Sequence, residues 1–222
     1  MIVYVDIEHI RVRENKEEWD KHLRLTMDIK YKLEEVSGDH CLVLRYEKVS
    51  PAALRQLTAR AVLVSGNVTE FQHYNEADLA GLRAVFREGA RPTVGFCGGA
   101  QMMAETFGSR AAAIDESENG DMLDGAWKER THESGFMQVR QTKPHPLFAG
   151  LGDDMVFMEA HYWEIKSIPE GFEAFAETDT TPIQFLAHQS MPLFATQFHP
   201  ESFDEDHPDG RKFLENFFKL LE

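Results

Sequence analysis

The sequence predicts an α/β fold: a doubly wound, mostly parallel sheet with helices on both faces and an additional strand-rich C-terminal part. Three observations predict it. Short apolar runs of strand length alternate with helical segments through the first half of the chain. One of these runs, Val94-Gly95-Phe96-Cys97-Gly98-Gly99-Ala100-Gln101, ends in a cysteine packed between glycines and becomes a helix. From Gly135 the pattern becomes richer in strands. With 222 residues the chain holds one sizeable core, so a single domain spanning 1–222 is expected.

The elements follow in order. Ile2-Val3-Tyr4-Val5-Asp6 reads as a buried strand, and the polar stretch Glu8 to Glu18 as a loop. A helix follows in which Trp19, Leu23, Met27 and Leu33 recur at roughly helical spacing. Cys41 to Tyr46 is the second strand. Ser50-Pro51 opens a helix, serine capping and proline in the first turn, with Leu54 and Leu57 inward. Ala61 to Val64 is the third strand and ends in Ser65-Gly66-Asn67-Val68-Thr69. Glu76 to Phe86 is a helix with Leu79, Leu82 and Phe86 as its apolar face. Gly89 to Pro92 leads into the strand Thr93 to Phe96 and the helix Gln101 to Phe107. The acidic run Asp115 to Asp121 reads as a loop, either merely solvated or touching a partner. Later strands are expected at Phe136 to Gln141, Met155 to Ile165, Phe172 to Ala176, Ile183 to Ala187 and Leu193 to Phe198. Pro144 to Leu151 between them is a turn-rich structural connector. The last helix, Arg211 to Leu221, closes the core with Phe213, Phe217, Leu220, Leu214, Phe218 and Leu221.

Composition excludes several function classes. A net charge of −15, from 23 basic and 38 acidic residues, argues against nucleic acid or an anionic membrane as partner. No apolar run reaches membrane-spanning length and the N-terminus lacks the pattern of a signal peptide, so a cytoplasmic protein is expected. Cys41 and Cys97 lie in different strands without C-x-x-C spacing, which suggests neither a disulfide nor a zinc site. Cys41 reads as a small buried hydrophobe. No P-loop glycine-lysine motif is present, and no cofactor or metal is expected.

The chemistry concentrates at two stretches. A strand turning abruptly into a helix holds Cys97 above the sheet edge, near a helix N-terminus that favours the thiolate. Taken alone, Cys97 reads either as a nucleophile or as a buried structural cysteine before a βα turn. In Leu193-Phe194-Ala195-Thr196-Gln197-Phe198-His199-Pro200-Glu201, Pro200 keeps His199 out of helical geometry. Residues i and i+2 of an extended chain share a side, so Glu201 can orient His199. Cys97, His199 and Glu201 make a complete nucleophile, base and orienter.

Gly95-Phe96-Cys97-Gly98-Gly99-Ala100-Gln101 together with Gln197-Phe198-His199-Pro200-Glu201 resembles the class I glutamine amidotransferase family, whose glutaminase domain carries G-x-C-x-G-x-Q and a later Q-F-H-P-E. The resemblance implies a flavodoxin-like fold and hydrolysis of L-glutamine through a thioester on Cys97. It also implies an oxyanion hole from the backbone N–H groups of Gly98 and Asn67, although Asn67 and Val68 depart from the family's S-G-G-P. Gln101 matches the family's glutamine-binding position or braces the elbow. Gly66 lies in the same loop as Asn67 and counts with the substrate contacts. Tyr162 and Trp163 stand in a partial echo of S-H-x-D-x-V, where they could offer backbone groups to the substrate, and His161 beside them belongs to the site or is a satisfied strand histidine. Ala100 replaces a larger residue. Ammonia passes in this family to a synthetase, here a separate partner, as in stand-alone GMP-synthase-type subunits. The alternatives are a γ-glutamyl hydrolase with the same triad and a non-catalytic regulatory module of the same fold.

Overall fold

The computed structural model describes residues 1–116 and 126–221. Five parallel strands carry one half of a nine-stranded sheet: in spatial order β2 (Cys41–Arg45), β1 (Ile2–Asp6), β3 (Ala61–Val64), β4 (Thr93–Phe96) and β11 (Leu193–Thr196). This is the flavodoxin order, with β11 as fifth strand. Antiparallel strands extend it through β10 (Phe185–His188), β9 (Phe172–Glu177), β6 (Glu133–Gln141) and β7 (Asp154–His161). The strand-rich C-terminal half is therefore a wing of the same sheet.

Alternation along β1 explains the layering. Ile2 and Tyr4 face a core shared with α1 (Lys16–Ser37) and α5 (Asp209–Phe218). Val3 and Val5 face the other core, shared with α2 (Pro51–Gln56), α3 (Glu76–Glu88) and α4 (Gly98–Thr106). The first core is rich in rings: Phe157 stacks on Phe198 at 4.0 Å, and Phe213 meets both edge-on. Each of these fully buried rings contributes about 2–3 kcal/mol. Cys41 is buried as expected, and burial pushes its thiol up to about 12. Among the described residues no helix is long and apolar enough to cross a membrane.

Four expectations change. α1 begins at Lys16 because the Asn15 side chain accepts from the amides of Glu17 and Glu18, capping a helix inside the stretch read as loop. Its buried stripe is Thr26, Ile29 and Leu33, while Leu23 and Met27 are 43% and 41% exposed. Two apolar stripes compete on this helix, and only Leu33 lies on the one that faces the sheet. The run Met155 to Ile165 is two strands, because at Tyr162 the chain leaves β6 and enters β8 (Trp163–Ile165), which pairs with β5 (Ala111–Ala113) in a separate ribbon. At the C-terminus α5 ends at Phe218, and Leu220 in the following turn is exposed. Of the acidic run, residues 117–121 lie outside the described residues.

Candidate active site

Cys97 caps the start of α4 with φ 46° and ψ −108°, a left-handed conformation that side chains rarely adopt. Neighbouring hydrogen bonds hold it there: the Cys97 amide donates to Thr196 O at 2.7 Å, and the Gly99 amide to Ser65 O at 3.1 Å. The turn tolerates little bulk. A Cβ on Gly99 would stand 2.7 Å from Val64 O and 2.8 Å from Ser65 O. Strain of this kind persists where the surrounding backbone over-determines it, as at a nucleophile elbow.

His199 and Glu201 follow β11, the strand beside β4. His199 Nδ1 lies 2.8 Å from Glu201 Oε1, and Glu201 is buried. Burial pulls the imidazole towards neutrality, but Glu201 and then Cys97 outweigh it and hold its pKa well above the ordinary value. Gly66 leaves room for this ring, since a Cβ there would meet His199 Cε1 at 2.9 Å and Cys97 Cβ at 3.4 Å. The structure thus brings Cys97, His199 and Gly66 together. Asn67 sits against Gly98, its Oδ1 occupying the space a Gly98 Cβ would need, and its Nδ2 donates to Thr69 O. Neither Gly66 nor Asn67 has positive φ, so the turn does not draw on glycine's conformational freedom at position 67.

Two cavities flank Cys97. The first is lined by Cys97, Gly98, Gln101, Glu70, His161, Tyr162 and Trp163. The second, of about 170 Å³, is lined by Cys97, His199, Glu201, Gly66, His22 and Leu25, the last on the exposed side of α1. Gln101 is tied down rather than free: its Nε2 donates to Trp163 O at 3.0 Å and to Gln197 Oε1 at 3.2 Å. The Trp163 carbonyl is thereby taken, and the Tyr162 carbonyl accepts from the Ile114 amide.

Four residues escaped the sequence reading. Gln197 Nε2 points at Cys97 Sγ from 3.5 Å, although the residue was visible only as part of its motif. Glu70 is buried in the first cavity and accepts from the Tyr162 hydroxyl at 2.6 Å. Glu8, within the presumed loop, accepts from the Val68 amide and the Thr69 hydroxyl and holds the Asn67 turn. Glu159 lies buried beside His161.

A doubly wound sheet that presents a thiol at its carboxyl edge, with an imidazole and a carboxylate delivered by the neighbouring strand, defines an amidotransferase domain of the thiol type. The chain belongs to the class-I glutamine amidotransferase family, whose description matches residues 23–221. It is 31% identical over 165 residues to the glutamine-hydrolyzing subunit of the Methanopyrus kandleri GMP synthase, covering 73% of this chain and 76% of that one. It is 29% identical over 187 residues to the glutamine-hydrolyzing GMP synthase of Wolinella succinogenes, covering 81% of this chain but 31% of that longer protein. The solved structure of a Thermoplasma acidophilum protein, provisionally assigned as the corresponding GMP synthase subunit, matches with a TM-score of 0.72 at 21% identity, covering 100% of this chain and 94% of that one. That likeness is one of fold.

Proposed function

We propose that this chain hydrolyses the side-chain amide of L-glutamine to glutamate and ammonia, and that it hands the ammonia to a separate synthetase. The observation that carries the reading is Cys97 at a left-handed elbow, with the His199–Glu201 pair on one side and the Gln197 amide on the other. Cys97 Sγ attacks the amide carbon, and His199 takes the thiol proton and delivers it to the leaving nitrogen. The C–N bond breaks, ammonia leaves, and a γ-glutamyl thioester remains. Water then gives a proton to His199 and attacks the thioester, which releases glutamate and restores the thiol.

Gly98 is the first residue of α4, so its N–H has no carbonyl one turn earlier and is available to the oxyanion, as is the Asn67 N–H across from it. Glutamine's ammonium end fits the acidic first cavity, where Glu70 and Gln101 Oε1 accept from it, beside Tyr162 and Trp163. Ammonia leaves through the second cavity past Leu25, towards the exposed side of α1. A synthetase partner is supported by the names of the relatives, which are GMP synthases or their glutamine-hydrolyzing subunits.

The test is release of glutamate and ammonia from L-glutamine by the purified chain beside Cys97→Ala, with γ-glutamyl amides as competitors. Release that depends on Cys97 supports the reading. Activity confined to γ-glutamyl amides replaces it with a γ-glutamyl hydrolase.

A further inference from the structure

Glu133, Glu159 and His161 form a charged cluster, 1%, 0% and 3% exposed, that the proposed hydrolysis does not use. Strand register assembles it. Glu133 on β6 pairs directly with His161 on β7, and Glu159 lies two residues earlier on the same face of β7.

The geometry is unlike that of a hydrogen-bonded triad. His161 Nε2 is 3.0 Å from Glu133 Oε2 and 3.1 Å from Glu159 Oε2. Yet Nε2 and both carboxylate oxygens of Glu159 are buried without a hydrogen-bond partner among the described residues, because the nitrogen points at neither oxygen in line. Ligand atoms bonded at about 2.1 Å to one ion, at right angles, stand about 3 Å apart.

The surroundings are those of metal ligands. His161 Nδ1 donates to Trp163 O at 2.9 Å, which leaves the Nε2 lone pair facing the carboxylates. Glu133 accepts from the Thr178 hydroxyl at 2.5 Å and from Gln184 Nε2 at 2.8 Å, fixing its orientation. Charge points the same way: two carboxylates and a neutral imidazole carry −2, which a proton halves and a divalent cation cancels.

We propose that Glu133, Glu159 and His161 bind one divalent transition-metal ion of the zinc or manganese class. A nitrogen donor with two carboxylates suits these ions better than magnesium or calcium, and no thiolate is present to select copper(I). The ion pins β6 to β7. Through His161 and the Trp163 carbonyl it also anchors Gln101, hence Gln197 and the wall beside Cys97. No sequence signal announced it, since the ligands come from two strands and lack motif spacing.

The experiment uses the tag-free chain carrying Cys97→Ala, which removes the thiol as a competing ligand. It is stripped with a chelator, dialysed against Zn²⁺ or Mn²⁺, and read by metal content and melting temperature. One equivalent per chain and a raised melting temperature are expected. Glu159→Gln in this background lowers affinity at least about 100-fold, and Thr178→Val, which removes only a supporting bond, about 10-fold. A folded chain that binds neither ion, or that binds equally with Glu159→Gln, overturns the proposal. These readouts do not involve glutamine, so they stand or fall apart from the hydrolytic reading.

Discussion

Glu8 Oε2 lies 2.7 Å from the amide nitrogen of Val68, and its other oxygen accepts from the Thr69 hydroxyl at 2.8 Å. A buried carboxylate at the end of β1 thus sets the turn after β3 that carries Asn67. Glu8→Ala leaves that amide and hydroxyl unsatisfied, at a cost of about 1–3 kcal/mol. The expected result is a lower urea midpoint together with a fall of about 10- to 100-fold in kcat/KM for glutamine, because the Asn67 N–H drifts from the oxyanion. Unchanged kinetics in a destabilised variant would show that the turn has no catalytic share.

The triad predicts non-additive losses. Cys97→Ala and His199→Ala each abolish glutamate release, and Glu201→Gln lowers kcat by about 10²–10⁴. Combining Cys97→Ala with Glu201→Gln is no worse than Cys97→Ala alone, since the orienter acts only through the nucleophile it serves. Steady-state kinetics of the four proteins measures this.

Two glycines near the elbow should separate folding from chemistry. Gly99→Ala drives a Cβ into the Val64 and Ser65 carbonyls, which belong to a buried strand and its turn and cannot yield, so loss of soluble folded protein is expected. Gly66→Ala meets only the His199 ring and the Cys97 Cβ. It is expected to fold with a near-normal melting temperature and to lose most of its activity as the imidazole is displaced. A fully active Gly66→Ala would contradict the placement of His199.

His145 predicts a pH dependence of stability. Buried against Phe175 and Phe185, with Nδ1 accepting from the Leu147 amide, the ring is held neutral, and burial brings its pKa down to about 4. A folded pKa below the unfolded value means that the contribution is complete above about 6.5 and is lost as pH falls towards 4. His145→Asn keeps an acceptor for Leu147 without the titration. Between pH 7 and 4.5 the wild type is expected to lose about 1 kcal/mol more than this variant, a figure reduced from the full shift for partial exposure. Parallel urea curves for the two proteins at both pH values would refute it.

What could be read in the sequence was local. The strand-to-helix turn at Cys97 and the His199–Glu201 spacing each fit within a few residues, and the parallel half of the sheet followed from alternating strands and helices. Where two local signals competed, reading failed: α1 carries both a Leu23–Met27 stripe and a Thr26–Ile29–Leu33 stripe, and only the sheet decides between them. Glu8 was indistinguishable from other loop acids because its partners lie about sixty residues away. Glu133 and Glu159 became neighbours of His161 only through antiparallel register, which no window of sequence displays.

The place of β11 has a consequence for how the protein comes into being. This strand slots between β4 and β10, bringing Gln197 beside Cys97 from 100 residues away. Until it arrives, β4 has an open edge and the thiol lacks its base. A nascent or truncated chain therefore carries the cysteine without the means to use it, and competence appears at once, when nearly the last segment to emerge closes the middle of the sheet.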